Sequence, residues 1–209
     1  MKILETYRPG SKRFAANLSG PYSDRNDLIF LLRHGRIRGH DSRRYLGSTD
    51  LPLDDLGRLQ ARWWGETFKS IRFAGVFSSR LERCLETAAL AVPRQKILAT
   101  SRLNEIHMGD WEGKSFGEIR QQYPKEYESR GQAMDRFRPE NGENFNDVLN
   151  RIWPFFTDLE LKKPGKVLVV THAGVIRTLV SRILGIYPKG LFHIRPEYGQ
   201  LYVLSFQTG

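Results

Sequence analysis

Cysteine is nearly absent from the 209 residues: Cys84 stands alone, so no intramolecular disulfide framework is possible. Long apolar runs are missing too. Nothing approaches the roughly 20 consecutive apolar residues that a membrane span needs. The opening segment MKILETYRPGSKRFAANLSGPYSDRND has no apolar stretch of leader length and is broken by Pro9, Gly10, Gly20 and Pro21. A soluble, cytoplasmic protein is the expectation. Acidic side chains are in the minority, 23 against 33 Lys and Arg, which leaves a formal net charge of +10. Such a balance predicts anionic company, whether phosphorylated metabolites, nucleic acid or an acidic membrane surface. An arginine-rich composition alone gives the same number. Internal repeats and low-complexity segments are also absent.

What is present reads as one domain. Residues 1–26 read as a basic, turn-rich extension, in part ordered against the body, and residues 27–209 form the body. In the body, DLIFLLRH, AGVFSS, KILAT, KVLVVTH and GQLYVLSF read as strands. The continuous apolar runs among them suit strands buried on both faces. Helical patterns lie between them. LDDLGRLQARWWGETFKSI carries Leu56, Leu59, Trp63 and Phe68 at near-helical spacing, and RLERCLETAALAV follows the second strand. AGVIRTLVSRILG presents Ile176, Leu179, Val180, Ile183 and Leu184 on one face, with Gly185 and Pro188 ending that helix. Alternation of this kind predicts an α/β fold, a three-layer αβα sandwich around a mostly parallel sheet. Ligands of such sheets bind beyond the carboxyl ends of the strands.

Three of those ends carry unusual polar residues: Arg33-His34-Gly35, Ser78-Ser79 with Arg83 beyond it, and Thr171-His172-Ala173-Gly174. Ser79 followed by Glu82 predicts a capping box with the helix starting at Arg80. Arg83 near that start opposes the helix dipole, so it needs either a bound anion or a nearby carboxylate. His172 reads either as a hydrogen-bonded structural histidine or as half of a two-histidine site.

In order along the chain, LLRHG, SSRLERCLETA, LNEIHMGDWEG and VVTHAGVIR resemble the signature segments of the histidine phosphatase superfamily, the phosphoglycerate mutase-like family. YLGSTDLPLDDLGRLQA and PENGENF resemble its secondary motifs. The resemblance implies a phosphomonoesterase in which His34 attacks phosphorus and carries the phosphoryl group as a phosphohistidine. It further implies that Arg33, Arg83, His172 and the amide of Ala173 hold the phosphoryl oxygens. Glu105 matches the family's general acid, and Glu112, in the structural W-E-G motif, ranks below it. The sequence departs from the family pattern at Arg36, Ile37 and His40. His40 falls where the family has an asparagine and is expected to bind the same phosphoryl group. Arg36 and Arg44 are candidates for substrate specificity, although Arg36, Arg38 and Arg43 are equally readable as solvated loop charges.

His40, His107 and His193 show no ligand-like spacing, so neither a metal nor another cofactor is expected. The expected partner is a small phosphomonoester. No nucleic acid is expected, since stacking aromatics do not interleave with basic strands, and no membrane. The segment from Lys114 to Glu143 lacks the long insertion of resembling mutases, which favours hydrolysis and the α-ribazole and broad-specificity phosphatase branch. Arg120, Tyr123, Tyr127, Arg136 and Arg138 there read as specificity contacts or as a solvated helical lid. The alternatives are a phosphoglycerate mutase-type phosphotransferase and a catalytically silent phospho-ligand-binding module.

Overall fold

A computed structural model of the chain describes residues 1–162 and 165–206, so the last three residues of the body lie outside it. Six strands form one sheet: β1 (Lys2–Tyr7), β2 (Leu28–Arg33), β3 (Gly75–Ser78), β4 (Ile97–Ala99), β5 (Val167–Thr171) and β6 (Leu201–Ser205). Their spatial order is β1-β6-β2-β5-β3-β4. β2, β5, β3 and β4 pair in parallel, and β6 runs antiparallel between β1 and β2. The α/β architecture expected from the sequence is present.

Every residue of β5 and β6 is buried, as are the first five of β2, because helices cover both faces of the sheet. Ile29, Leu31, Val167 and Val169 face α6 (Phe145–Lys162) and α7 (Ala173–Ile183). Leu28, Phe30, Leu32, Leu168 and Val170 face α1 (Lys12–Leu18), α2 (Asp55–Thr67) and α3 (Glu82–Ala91). Gly185 follows α7 in the left-handed conformation at φ 70°, as the sequence predicts for a helix end. Among the described residues no helix is long and apolar enough to cross a membrane.

Four expectations need correction. Residues 1–26 are ordered against the body more fully than a turn-rich extension would be. They supply β1, hydrogen-bonded to β6, and α1, whose Phe14 is fully buried against Tyr7, Phe30, Trp64 and Phe68. The physical reason is that the β6 edge needs a partner and Phe14 completes an aromatic cluster. Next, the buried face of α2 is formed by Gly57, Ala61 and Trp64; Leu56 and Leu59 are 40% and 61% exposed. The bulk of Trp64, fully inside the core, sets the rotation of that helix. Third, no capping box starts α3. Ser79 Oγ accepts from Leu81 N, and the amide of Glu82 is met by Asp50 Oδ2 at 2.7 Å, a cap delivered from a distant loop. Finally, Leu184 is 51% exposed and lies past the buried face of α7.

Candidate active site

The carboxyl ends of β2, β3 and β5 lie side by side. His34 N donates to Thr171 O at 3.0 Å and Ser79 N to Val170 O at 3.0 Å, so the three polar strand ends converge. A cleft of about 720 Å³ opens there. Arg33, His34, His40, Arg44, Arg83, Glu105 and Ala173, all singled out in the sequence, line it.

His34 is 3% exposed. Its Nδ1 lies 2.8 Å from the Gly35 carbonyl, which only a protonated Nδ1 can use as a hydrogen bond. The neutral ring therefore carries its lone pair on Nε2. Burial, then the charges of Arg33 and Arg83, hold the imidazole pKa well below its ordinary 6.5. His34 is thus an uncharged base between two cations.

Arg33 is half-buried. Its Nη1 donates to Pro196 O at 2.8 Å, and its guanidinium lies 3.7 Å from the centroid of the Tyr198 ring. Its buried Nε has no hydrogen-bond partner. Arg83, 2% exposed, donates Nη2 to Gly47 O and Nη1 to Thr49 O, both at 2.7 Å, and Nε to His172 Nδ1 at 3.3 Å. Asp50 lies 3.5 Å from Nη1, so the carboxylate partner considered for Arg83 is present. The three named bonds use three of the five guanidinium protons, leaving donors for an anion in the cleft.

Glu112 explains why the Arg83 acceptors are in place. Its carboxylate takes the amides of Gly47 at 2.7 Å, Ser48 at 3.2 Å and Thr49 at 2.9 Å, plus the Thr49 hydroxyl at 2.7 Å. Burial pushes the Glu112 pKa up, but the Thr49, Gly47 and Ser48 donors outweigh it and hold the carboxyl below the ordinary carboxylate value. Glu112 thus shapes the turn that anchors Arg83, in keeping with its lower rank as an acid.

Glu105 reaches the cleft from the other side. Its two oxygens each lie 3.1 Å from Gly174 N at the start of α7, and Ile106 N donates to Oε1 at 3.0 Å. A Cβ on Gly174 would sit 2.3 Å from Oε1, so glycine is what lets the carboxylate approach the helix end.

His172 is where the sequence reading and the geometry part. It is fully buried and does not line the cleft. Nδ1 accepts from Arg83, and Nε2 lies 2.7 Å from Ser79 Oγ, which donates to Asn104 Oδ1 at 2.9 Å. The ring stands edge-on to His34 with centroids 5.1 Å apart. In this arrangement it orients Arg83 and backs His34. Burial, then Arg83, holds its pKa well below 6.5 too.

Of the specificity candidates, Arg36 does not reach the cleft. Its Nε is paired with Asp54 Oδ2 at 2.6 Å, because Asp54, the cap of α2, lies directly behind the loop. Arg44 lines the cleft while donating to Gly113 O at 2.7 Å. Arg120, Tyr123, Tyr127, Arg136 and Arg138, on and beyond α4 (Phe116–Gln122) and α5 (Pro124–Gln132), stay outside it. Arg43, readable in the sequence as a solvated loop charge, lines the cleft, and sequence reasoning missed Arg177 and Tyr198 as lining residues. Arg177 had a usable signal, one helical turn past Ala173 on the same face. Tyr198 had none. Among the described residues no three His, Cys, Asp or Glu side chains converge as a metal site.

The two buried histidines give a testable pH dependence of stability. In the unfolded chain each takes up a proton near pH 6.5, whereas in the fold each stays neutral to well below it. The unfolded state therefore binds more protons below that pH, and stability falls as pH falls. For the pair the slope grows from about 1.4 kcal/mol per pH unit at pH 6.5 toward a limit of about 2.7 well below it. Denaturant unfolding between about pH 6.5 and 5, in phosphate-free buffer, measures it, and His34→Gln should halve it.

At the carboxyl edge of the sheet a neutral histidine is thus set among arginines, an arrangement suited to an anionic ligand. Sequence comparison supplies the family: the model of the histidine phosphatase superfamily (branch 1) matches residues 29–209, and the chain belongs to that superfamily. It is similar to the adenosylcobalamin/alpha-ribazole phosphatase of Escherichia coli K12, 29% identical over 82% of this chain and 86% of that one. It is also similar to the 2,3-bisphosphoglycerate-dependent phosphoglycerate mutase 2 of Gloeobacter violaceus, 29% identical over 82% of each. The crystal structure of the alpha-ribazole phosphatase from Shigella flexneri superposes with a TM-score of 0.77 at 25% identity, covering 87% of this chain and 96% of that one. The protein is thus an enzyme of this superfamily with phosphatase-like relatives.

Proposed function

We propose that the chain is a metal-independent phosphomonoesterase that hydrolyses a small phosphorylated metabolite through a phosphohistidine at His34. The observation that carries this reading is the state of His34, neutral, with Nδ1–H fixed on the Gly35 carbonyl and its lone pair on Nε2. Nε2 attacks phosphorus and the bond to the leaving oxygen breaks. Arg33 and Arg83 offset the charge that gathers on the phosphoryl oxygens, and Glu105 gives its proton to the departing alkoxide. Glu105 then takes a proton from water, whose oxygen attacks phosphorus and frees His34. The Ala173 amide and the exposed His40 at the cleft mouth add donors to the same group.

The short α4–α5 segment, which gives the cleft only Phe116, supports hydrolysis over return of the phosphoryl group to a second hydroxyl. Purified protein should release p-nitrophenol from p-nitrophenyl phosphate between about pH 5 and 8 with EDTA present. Inactivity there sinks the reading and leaves a phospho-ligand-binding module. Conversion of 3-phosphoglycerate to its isomer in the presence of bisphosphoglycerate, faster than phosphate release, makes the protein a mutase.

A further inference from the structure

Arg33 is held in an unusual way. Among the described residues no carboxylate lies within ion-pair distance of it; burial pushes its pKa down, while the Tyr198 side chain, its hydroxyl included, and the more distant Glu105 work against that. A carboxylate clamp would fix the guanidinium but would also cancel the charge an incoming phosphoryl group needs. Two neutral contacts hold it instead, the Pro196 carbonyl on Nη1 and the Tyr198 ring 3.7 Å away. Both come from one turn, residues 196–200. An aromatic face steadies a cation through its quadrupole while leaving the net charge intact.

That turn is rigidly placed. Gly199 N donates to His34 O at 3.0 Å, and Arg33 N donates to Gln200 O at 3.0 Å. The buried Trp64 donates Nε1 to Gly199 O at 2.8 Å. Gly199 has φ +70°, and a Cβ there would meet Pro9 at 3.1 Å and Gln60 at 3.2 Å. Arg8 bonds Glu197 at 2.5 Å. Pro9 and Arg8 lie before residue 29, where the match to the superfamily begins. The same ring lies 5.6 Å from His34 and 6.4 Å from His40, centroid to centroid.

We propose that Tyr198 is a positioning residue for Arg33: its ring face fixes the guanidinium toward the phosphoryl group without neutralising it. The inference rests on reading Arg33 as a phosphoryl ligand. A double-mutant cycle separates the two, read in the inhibition constant of inorganic phosphate and in kcat/KM for p-nitrophenyl phosphate. Arg33→Gln should weaken phosphate binding strongly. Tyr198→Ala should weaken it about tenfold in the parent protein, and less than about twofold in the Arg33→Gln background, since the ring then has no cation to hold. Tyr198→Phe, which keeps the ring face and loses only the hydroxyl, should recover most of what alanine loses, and Tyr198→Leu, which keeps much of the volume, should behave like alanine. Equal losses for Tyr198→Ala in both backgrounds, or a leucine variant as good as phenylalanine, overturn the proposal. If Arg33→Gln leaves phosphate binding unchanged, Arg33 is not a phosphoryl ligand and the proposal falls with that reading.

Discussion

His34→Ala is expected to lower phosphate release by at least about 10⁴-fold, the scale of loss when a nucleophile is removed, while the fold survives. Two measurements go together: steady-state turnover, and trapping of an acid-labile phosphoryl group on the protein after brief exposure to substrate. Both should vanish. The expectation follows from the electrostatics around the ring. An imidazole that stays neutral beside two guanidiniums is nucleophilic at any pH near neutrality, and the same guanidiniums draw the phosphoryl group onto it. Retention of the acid-labile label would move the nucleophile elsewhere. His172, the nearest other imidazole, is poorly placed for that role because both its nitrogens are already engaged by Arg83 and Ser79.

Glu105→Gln carries the second large effect, and its signature is selective. The amide keeps an acceptor for the Gly174 amide, so the helix end stays covered. It has no proton to transfer. Phosphorylation of the enzyme by an alkyl phosphate, whose alkoxide leaves poorly, should slow by about 10²- to 10⁴-fold. Phosphorylation by p-nitrophenyl phosphate should slow by less than about tenfold, because nitrophenolate departs without help. Pre-steady-state release of the leaving group isolates this step from the later attack of water. Equal losses on the two substrates would assign the proton to another group.

Much of this was legible in the chain because strand ends are legible. A run such as LIFLLR or VLVVT is apolar throughout only when both faces of the sheet are covered, so the residues that follow it fall on a rim. Three polar rims on neighbouring strands become one site. What could not be read depends on partners far away in sequence. Asp50 caps α3 from a loop, and Ser79 gives its hydroxyl to Asn104, so the local S-x-x-E pattern misleads. Leu56 and Leu59 have helical spacing, but fully burying Trp64 turns them outward. Arg36 looks equivalent to Arg44 until Asp54 claims it. Pro154 masks α6 in the sequence, although its Phe145, Val148, Ile152, Phe155, Phe156 and Leu159 keep helical spacing on both sides of it. Tyr198 enters the site through the packing of β6, which no neighbouring residue announces.

The position of β1 bears on how the protein is made. Its only ladder runs to β6, pairing Tyr7 with Leu201 and Lys2 with Ser205. A ribosome delivers residues 2–7 well before 201–205, so β1 stays unpaired while everything between them is made. β2 likewise waits for β5 and β6. The sheet therefore closes only once β6 has been made, in a step that joins segments far apart in sequence, and such distant pairing makes for slow folding. Arg8 and Pro9 reach the turn that carries Tyr198 only through that closure, so the rim of the cleft is completed together with that edge of the sheet.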